Sequence, residues 1–351
     1  MKIVVVGAGY AGTNAANLLS KKTQAEITVV NPRGDFVERI RLHQRVSGTS
    51  SARAPLTSML REGITTRIGS VEKIGDGTVT LDDGTSLDFD HVVLAVGSAA
   101  EPMPGTLSIG TWEGAEQART ALADLPPQAV VTVIGGGPTG IETAAEVAAA
   151  RPDLRVRLLG ARLGATLGDG ARRRVRAGLD RLKVEVVERS VTAVTGGELH
   201  FGDGTSLATD LTLWAIVAGA PALAANSGFT VNEEGRVVVD EFLRSVDDPR
   251  IFAAGDCAAV PGARLSCQAS QPQAATAAAN VVRAIEGRPL EPHVVRFVAV
   301  CMSLGRADAV AQFTHPDDSP RRAYLAGRPG AVLKEGISRG VKWAARVGVT
   351  L

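Results

Sequence analysis

A chain of 351 residues exceeds what one hydrophobic core usually supports, so two or three domains are expected. Lys and Arg number 38 against 37 Asp and Glu, a net charge of +1, and no surplus of either sign exists to gather nucleic acid or an acidic surface. Hydrophobic residues make up 45%, enough for sizeable cores, yet the longest apolar stretch, residues 215–225, is short and broken by Gly219 and Pro221, which excludes a spanning helix.

In chain order, an apolar run over 3–6 predicts a buried parallel strand. It starts too early to leave room for a leader peptide, so a cytoplasmic location is expected. Gly7-Ala8-Gly9-Tyr10-Ala11-Gly12 follows directly. In such a motif the first glycine makes the turn, the second admits a pyrophosphate close to backbone, and the third lets helix pack on strand. The next strand, 27–30, ends at Asn31 in place of the usual acid, an amide that still hydrogen-bonds a ribose. Asp83-Gly84-Thr85-Ser86-Leu87 reads as a hairpin turn leading to a strand over 92–96, and Pro102 and Pro104 mark a connection.

The same order then recurs. A β-branched run over 130–134 feeds Gly135-Gly136-Gly137-Pro138-Thr139-Gly140, 128 positions after the first motif, and Asp203-Gly204-Thr205-Ser206-Leu207 repeats the hairpin turn 120 positions on, before a strand over 211–217. Two dinucleotides are therefore expected. The strand over 156–159 ends at Gly160-Ala161-Arg162 without a carboxylate, which removes repulsion toward a 2′-phosphate, and Arg162 can pair with one; NADPH is favoured over NADH. A strand over 251–254 ending in Gly255-Asp256 comes too late for the second repeat, so the second domain is read as inserted into the first. An alanine-rich helix follows to about residue 288, then a strand over 294–300 and a helix over 331–346. The fold class is α/β, with two Rossmann-like dinucleotide-binding domains, the second inserted into the first. The expected division is 1–105 with 238–290, then 106–237, then a C-terminal segment 291–351. Three cysteines without C-x-x-C spacing read as free thiols, with no metal site.

These residues resemble the two-dinucleotide-binding-domain flavoproteins of the pyridine nucleotide-disulfide reductase superfamily over nearly the whole chain. The resemblance rests on Gly7 to Gly12, Leu94-Ala95-Val96-Gly97-Ser98, Gly135 to Gly140 with Ile141-Glu142, and Ala254-Gly255-Asp256. It implies FAD at the first motif, held by Gly7, Gly9, Tyr10, Ala11, Gly12, Asn31, Arg39, Val71, Ala95 and Gly97, with Asp256 on its ribityl-phosphate region. It implies NADPH or NADH at the second, held by Gly135, Gly137, Pro138, Thr139, Gly140, Arg162 and Gly219. Arg39 and His43 fall in the stretch that runs beneath the flavin, where His43 is expected to be a hydrogen-bonded structural residue.

No cysteine pair occupies the 39–44 region, so dithiol reduction is excluded, and what remains is similar to type II NADH dehydrogenases and apoptosis-inducing-factor-like quinone reductases. That likeness implies catalytic roles for Glu142, in the first turn of its helix beside the nicotinamide, and for Gln268 and Gln273, with Asn280 at matching spacing. Pro272, in the first turn of that late helix, departs from the pattern. The expected function is hydride transfer from nicotinamide to FAD, then electron transfer to a quinone or other small acceptor. The alternatives are a slow FAD/NAD(P)H-sensing protein, and a reductase for an iron–sulfur protein or a biosynthetic pathway. The helix over 331–346 is expected to pack on its own protein rather than on a membrane. Oligomeric state is not legible.

Overall fold

The computed structural model describes residues 1–350. Two five-stranded, all-parallel sheets organise the chain. In the first, Lys2–Val6 pairs on one side with Glu26–Asn31, which pairs with Thr65–Ile68; on its other side it pairs with His91–Leu94, which pairs in turn with Ile251–Ala253. In the second, Val130–Ile134 lies between Arg155–Leu159, followed by Glu185–Val187, and Leu211–Trp214, followed by Leu107–Ser108. Only the outermost strand differs in origin: the first sheet takes it from far downstream, the second from just upstream.

Both faces of the first sheet are buried at its centre because Ile3–Val6, Val92–Leu94 and Ile251–Ala253 are unbroken apolar runs. Ile3, Val5 and Val93 point at the helices Tyr10–Lys22 and Cys267–Ile285, against Ala15, Leu19 and Ala274. Their neighbours Val4, Val6, Val92 and Leu94 point the other way, onto Ile74, Val79 and Leu81 of an antiparallel meander, Val71–Gly75, Thr78–Leu81 and Ser86–Asp88. A second meander, Val191–Thr195, Glu198–Phe201 and Ser206–Ala208, repeats the first. The repeat extends to side chains: Asp83 accepts from the Thr85 N–H and hydroxyl through Oδ1 and pairs with Arg67 through Oδ2, while Asp203 Oδ1 accepts from the Thr205 N–H and hydroxyl and pairs with Arg189.

The C-terminal segment departs from expectation. The strand placed over 294–300 forms only at Ala299–Ser303, and Val294 and Val298 are 60% and 63% exposed because that stretch has no strand beside it. Two further strands, Ala309–Thr314 and Pro320–Ala326, complete an antiparallel sheet whose last strand is largely exposed and polar, so it has little apolar pattern to read. The last helix begins four residues earlier than expected, spanning Gly327–Val347, and its Val341, Ala344 and Ala345 pack on the first domain. Asn17, buried in the first nucleotide helix, donates to the carbonyls of Ala345 and Arg346 at 2.8 and 3.0 Å and so fastens this helix end. None of the described helices is long and apolar enough to cross a membrane.

Candidate functional site

A cavity of about 390 Å³ lies against the first glycine turn, and of the residues expected there Gly7, Gly9, Asn31, Arg39, Val71, Ala95 and Gly97 line it. The glycines differ in what they do. A Cβ on Gly7 would sit 2.5 Å from the Ala95 carbonyl oxygen, and one on Gly12 would overlap the Gly7 oxygen, whereas Gly9 has nothing within 4 Å. The crowded pair closes strand onto helix; the open one is where a ligand can meet backbone. Tyr10, Ala11 and Gly12 stand behind in the helix Tyr10–Lys22. Asn31 Oδ1 accepts from the Ala8 N–H at 3.1 Å and its Nδ2 donates to the Arg33 oxygen at 2.7 Å, so the amide orders the glycine turn itself.

Arg39 donates to the Ser98 hydroxyl and carbonyl oxygens at 3.0 and 3.2 Å, and Ser98 Oγ donates to Asp256 Oδ2 at 2.9 Å. Burial pushes the Arg39 guanidinium below its usual range and Asp256 opposes this. Arg39 makes no direct ion pair among the described residues and meets the Asp256 carboxylate only through the Ser98 hydroxyl, so it borders the cavity with donors to spare. An open glycine and such an arginine fit a pyrophosphate.

The second turn repeats this design. Gly137 is open, and a Cβ on Gly140 would overlap the Gly135 oxygen. Pro138 and Thr139 open the helix Pro138–Ala150, where proline at the first position costs no hydrogen bond. A Cβ at Gly160 would approach the Gly136 nitrogen to 2.5 Å, so the position after the strand cannot carry an acid. Arg162 is exposed beside it. A carboxylate nevertheless reaches this loop from the neighbouring strand, where Glu188 accepts from the Leu163 N–H at 2.8 Å. Gly219, at φ +86°, accepts from the Ala99 N–H at 2.9 Å and thereby joins the two connections between the halves.

Glu142 differs from its expected setting. It lies in the second turn of its helix, not the first, and its Oε1 accepts from the Ser303 N–H and hydroxyl at 2.9 and 3.0 Å and pairs with Lys334 at 3.1 Å. Burial raises the Glu142 carboxyl, but Lys334, His43 and Ser303 outweigh it and hold the group below the usual carboxylate range. Lys334 also donates to the Cys301 oxygen at 3.2 Å. His43 is buried with Nε2 unpartnered, contrary to the expected hydrogen-bonded residue, and burial lowers it to about 4, leaving it neutral. One turn on, Glu146 accepts from the Thr49 hydroxyl at 2.6 Å, and burial raises its carboxyl. A second cavity of about 420 Å³ is bordered by Gln44, Ser303, Arg306, Lys334 and Glu335. Lys334 and Ser303 had no sequence signal: one sits on an apparently ordinary surface helix, the other in an unremarkable strand.

The late helix also differs. Ser266 caps it by accepting from the Ala269 N–H at 3.2 Å, which puts Pro272 at the sixth helical position rather than in the first turn. Gln273 is buried and accepts from the Gly255 N–H at 2.8 Å, fixing the loop that carries Asp256. Gln268 accepts from Arg264 at 2.9 Å. Neither glutamine is among the residues lining the 390 Å³ cavity. Asn280 is structural, its amide donating to the Phe242 and Glu291 carbonyls and accepting from the Glu291 N–H.

Paired parallel sheets with two open glycine turns, a cavity fitted to a dinucleotide, and a buried acid–lysine pair define a flavin-dependent NAD(P)H oxidoreductase of the type with two dinucleotide-binding folds. Residues 1–280 match the pyridine nucleotide-disulphide oxidoreductase family, and the chain belongs to it. It is 29% identical to an NADH dehydrogenase-like protein of Mycobacterium tuberculosis over 377 residues, covering 96% of this chain and 93% of that one. It is 28% identical to a type II NADH:quinone oxidoreductase of the same organism, covering 74% and 67%. The sulfide:quinone oxidoreductase structure from Aquifex aeolicus superposes with a TM-score of 0.83 at 20% identity, covering 99% of this chain and 92% of that one.

Proposed function

We propose that the chain passes electrons from reduced nicotinamide through FAD to a quinone or another small acceptor. The observation that carries this is the doubled glycine turn, with Gly9 and Gly137 each left open, and Arg39 at the first cavity without a direct ion pair. When bound, FAD accepts a hydride from nicotinamide and releases electrons to the acceptor. Residues 1–105 and 238–290 would hold FAD and 106–237 the nicotinamide nucleotide, with a C-terminal segment after residue 290. Arg39 would neutralise the pyrophosphate, the Ser98 hydroxyl holds Arg39 beside Asp256, and Gln273 keeps the Gly255-Asp256 loop in place. Arg162 favours NADPH, since the steric limit at Gly160 keeps an acid from that position and the Glu188 carboxylate that reaches the loop is taken up by the Leu163 N–H.

A reduced quinone takes up protons as well as electrons. Lys334 borders the 420 Å³ cavity while paired with Glu142, so the pair holds a proton where an acceptor can collect it. Anaerobic rapid mixing of the FAD-loaded protein with NADH and NADPH in parallel, followed by a short-chain quinone, tests the proposal. Bleaching of the flavin band by nicotinamide and its recovery on adding quinone are expected, faster with NADPH. An oxidised flavin that stays unchanged with both nucleotides would refute the oxidoreductase assignment.

A further inference from the structure

The 390 Å³ cavity is not closed by the first sheet and its loops alone. Gly110, Thr111, Trp112 and Glu113 also line it, and they open the helix Trp112–Asp124. That helix start belongs to the second sheet: a Cβ on Gly114 would overlap the Ser108 oxygen of the strand Leu107–Ser108, so the two are pressed together. Thr111 caps it, its Oγ1 accepting from the Gly114 N–H at 3.2 Å.

Three of its side chains, Trp112, Glu113 and Glu116, reach the loops of the first sheet. The Glu113 carboxylate pairs with Arg33, itself a lining residue on the loop after Glu26–Asn31. The Trp112 ring has the guanidinium groups of Arg45 and Arg53 at 5.5 and 5.6 Å from its centroid. Arg45 also pairs with Glu116, one turn further along the helix, and Arg53 pairs at 3.1 Å with Asp35, another lining residue. Four ionic or cation–π contacts thus tie a rim carried by one sheet to loops carried by the other, around the mouth of one cavity. Each is partly exposed and individually weak. Such a seam holds at rest and parts readily, as a latch must.

We propose that Trp112 and Glu113 latch the FAD cavity, so that both loading and release of FAD wait on the parting of this helix start from Arg33, Arg45 and Arg53. The proposal rests on FAD occupying that cavity. A latch slows passage in both directions, whereas a side chain that merely touches the ligand slows only its departure. Measuring both rates separates the two.

FAD release from the holoprotein is followed by the rise of free-flavin fluorescence after dilution, and uptake by the deflavinated full chain by its quenching. Trp112→Ala should speed both rates by about 10-fold and Glu113→Gln by about 3-fold, as expected for losing two cation–π contacts or one partly exposed ion pair. The Arg33→Glu/Glu113→Arg double variant should return both rates to within about 2-fold of wild type, and added salt should make the wild type behave like Glu113→Gln. Glu113→Gln leaves the tryptophan packing in place, so it reports even if Trp112→Ala folds poorly. Faster release with unchanged uptake, or no change in either rate, would overturn the latch. A wild-type chain that takes up no FAD would overturn the cavity assignment and the latch with it, an outcome distinct from a loaded protein whose rates ignore these variants.

Discussion

Removing the lysine of the buried pair should reveal how much of this protein's stability depends on one compensated charge. In Lys334→Met the Glu142 carboxylate, 8% exposed, keeps its two Ser303 donors and loses its cation. Breaking a buried pair typically costs about 3–5 kcal/mol. Here the charge's own part of that cost is bounded, because the carboxyl can always take up a proton. From its ordinary value of 4.5, doing so at pH 7 costs about 3.4 kcal/mol, 2.5 pH units at about 1.36 each. The Cys301 carbonyl freed by the lysine is then available to accept from the new hydroxyl. The same bound at pH 5 is about 0.7 kcal/mol. In the wild type Glu142 lies below 4.5, so the pair's contribution is fully present above that value and is lost only as pH falls below it. Between pH 5 and 7 the wild type is therefore flat for this group, and the whole change belongs to the variant. Urea unfolding followed by tryptophan fluorescence should show a loss of about 3 kcal/mol at pH 7 that shrinks below about 1 kcal/mol at pH 5. Adding Glu142→Gln should recover most of the loss. A loss under 1 kcal/mol at pH 7, or an equal loss at both pH values, would refute the reasoning.

Other consequences are as direct. Gly9→Ala should fold normally yet take up FAD at least about 10-fold more weakly, because its Cβ enters open space reserved for ligand; Gly12→Ala should compromise folding itself, because its Cβ meets the Gly7 oxygen. Thermal midpoints beside flavin titrations separate the two, and equal behaviour would contradict the division of labour. His43 is lowered to about 4 from 6.5, so its contribution is present above 6.5 and is lost as pH falls through 4, about 3 kcal/mol in all. His43→Phe should flatten the stability profile across that window, and an unchanged profile in urea titrations would count against it. Arg162→Ala should raise the KM for NADPH by about 10-fold and leave that for NADH within about 2-fold, since only one ligand carries the 2′-phosphate. Equal effects on both in steady-state assays would leave Arg162 as a solvated loop charge.

Whatever depends on neighbours along the chain was legible in the amino-acid order alone. Apolar β-branched runs over 3–6 and 130–134 fed glycine turns, and two Asp-Gly-Thr turns announced matching meanders, because strand burial, turn geometry and hairpin chemistry are local. Seven of the residues expected around the first cavity line it for the same reason: the turn and the strand ends that carry them are themselves local motifs. The sequence could not show which side chains meet across the fold. Glu142 carried a motif, but Lys334 lies 192 positions away on a helix whose pattern speaks only of an apolar stripe, and Ser303 sits on a strand with no mark of function. Gln273 and Asn280 had suggestive spacing, yet their partners Gly255, Phe242 and Glu291 were decided by how the late helix packs. Pairing of buried charge is a property of three-dimensional proximity in a medium of low dielectric, where an acid and a base lower each other's cost only within a few ångströms. Separation along the chain carries no information about that distance, so the acid–lysine pair emerges only when the C-terminal helix meets the helix Pro138–Ala150, and the Trp112 seam only when the two sheets come together.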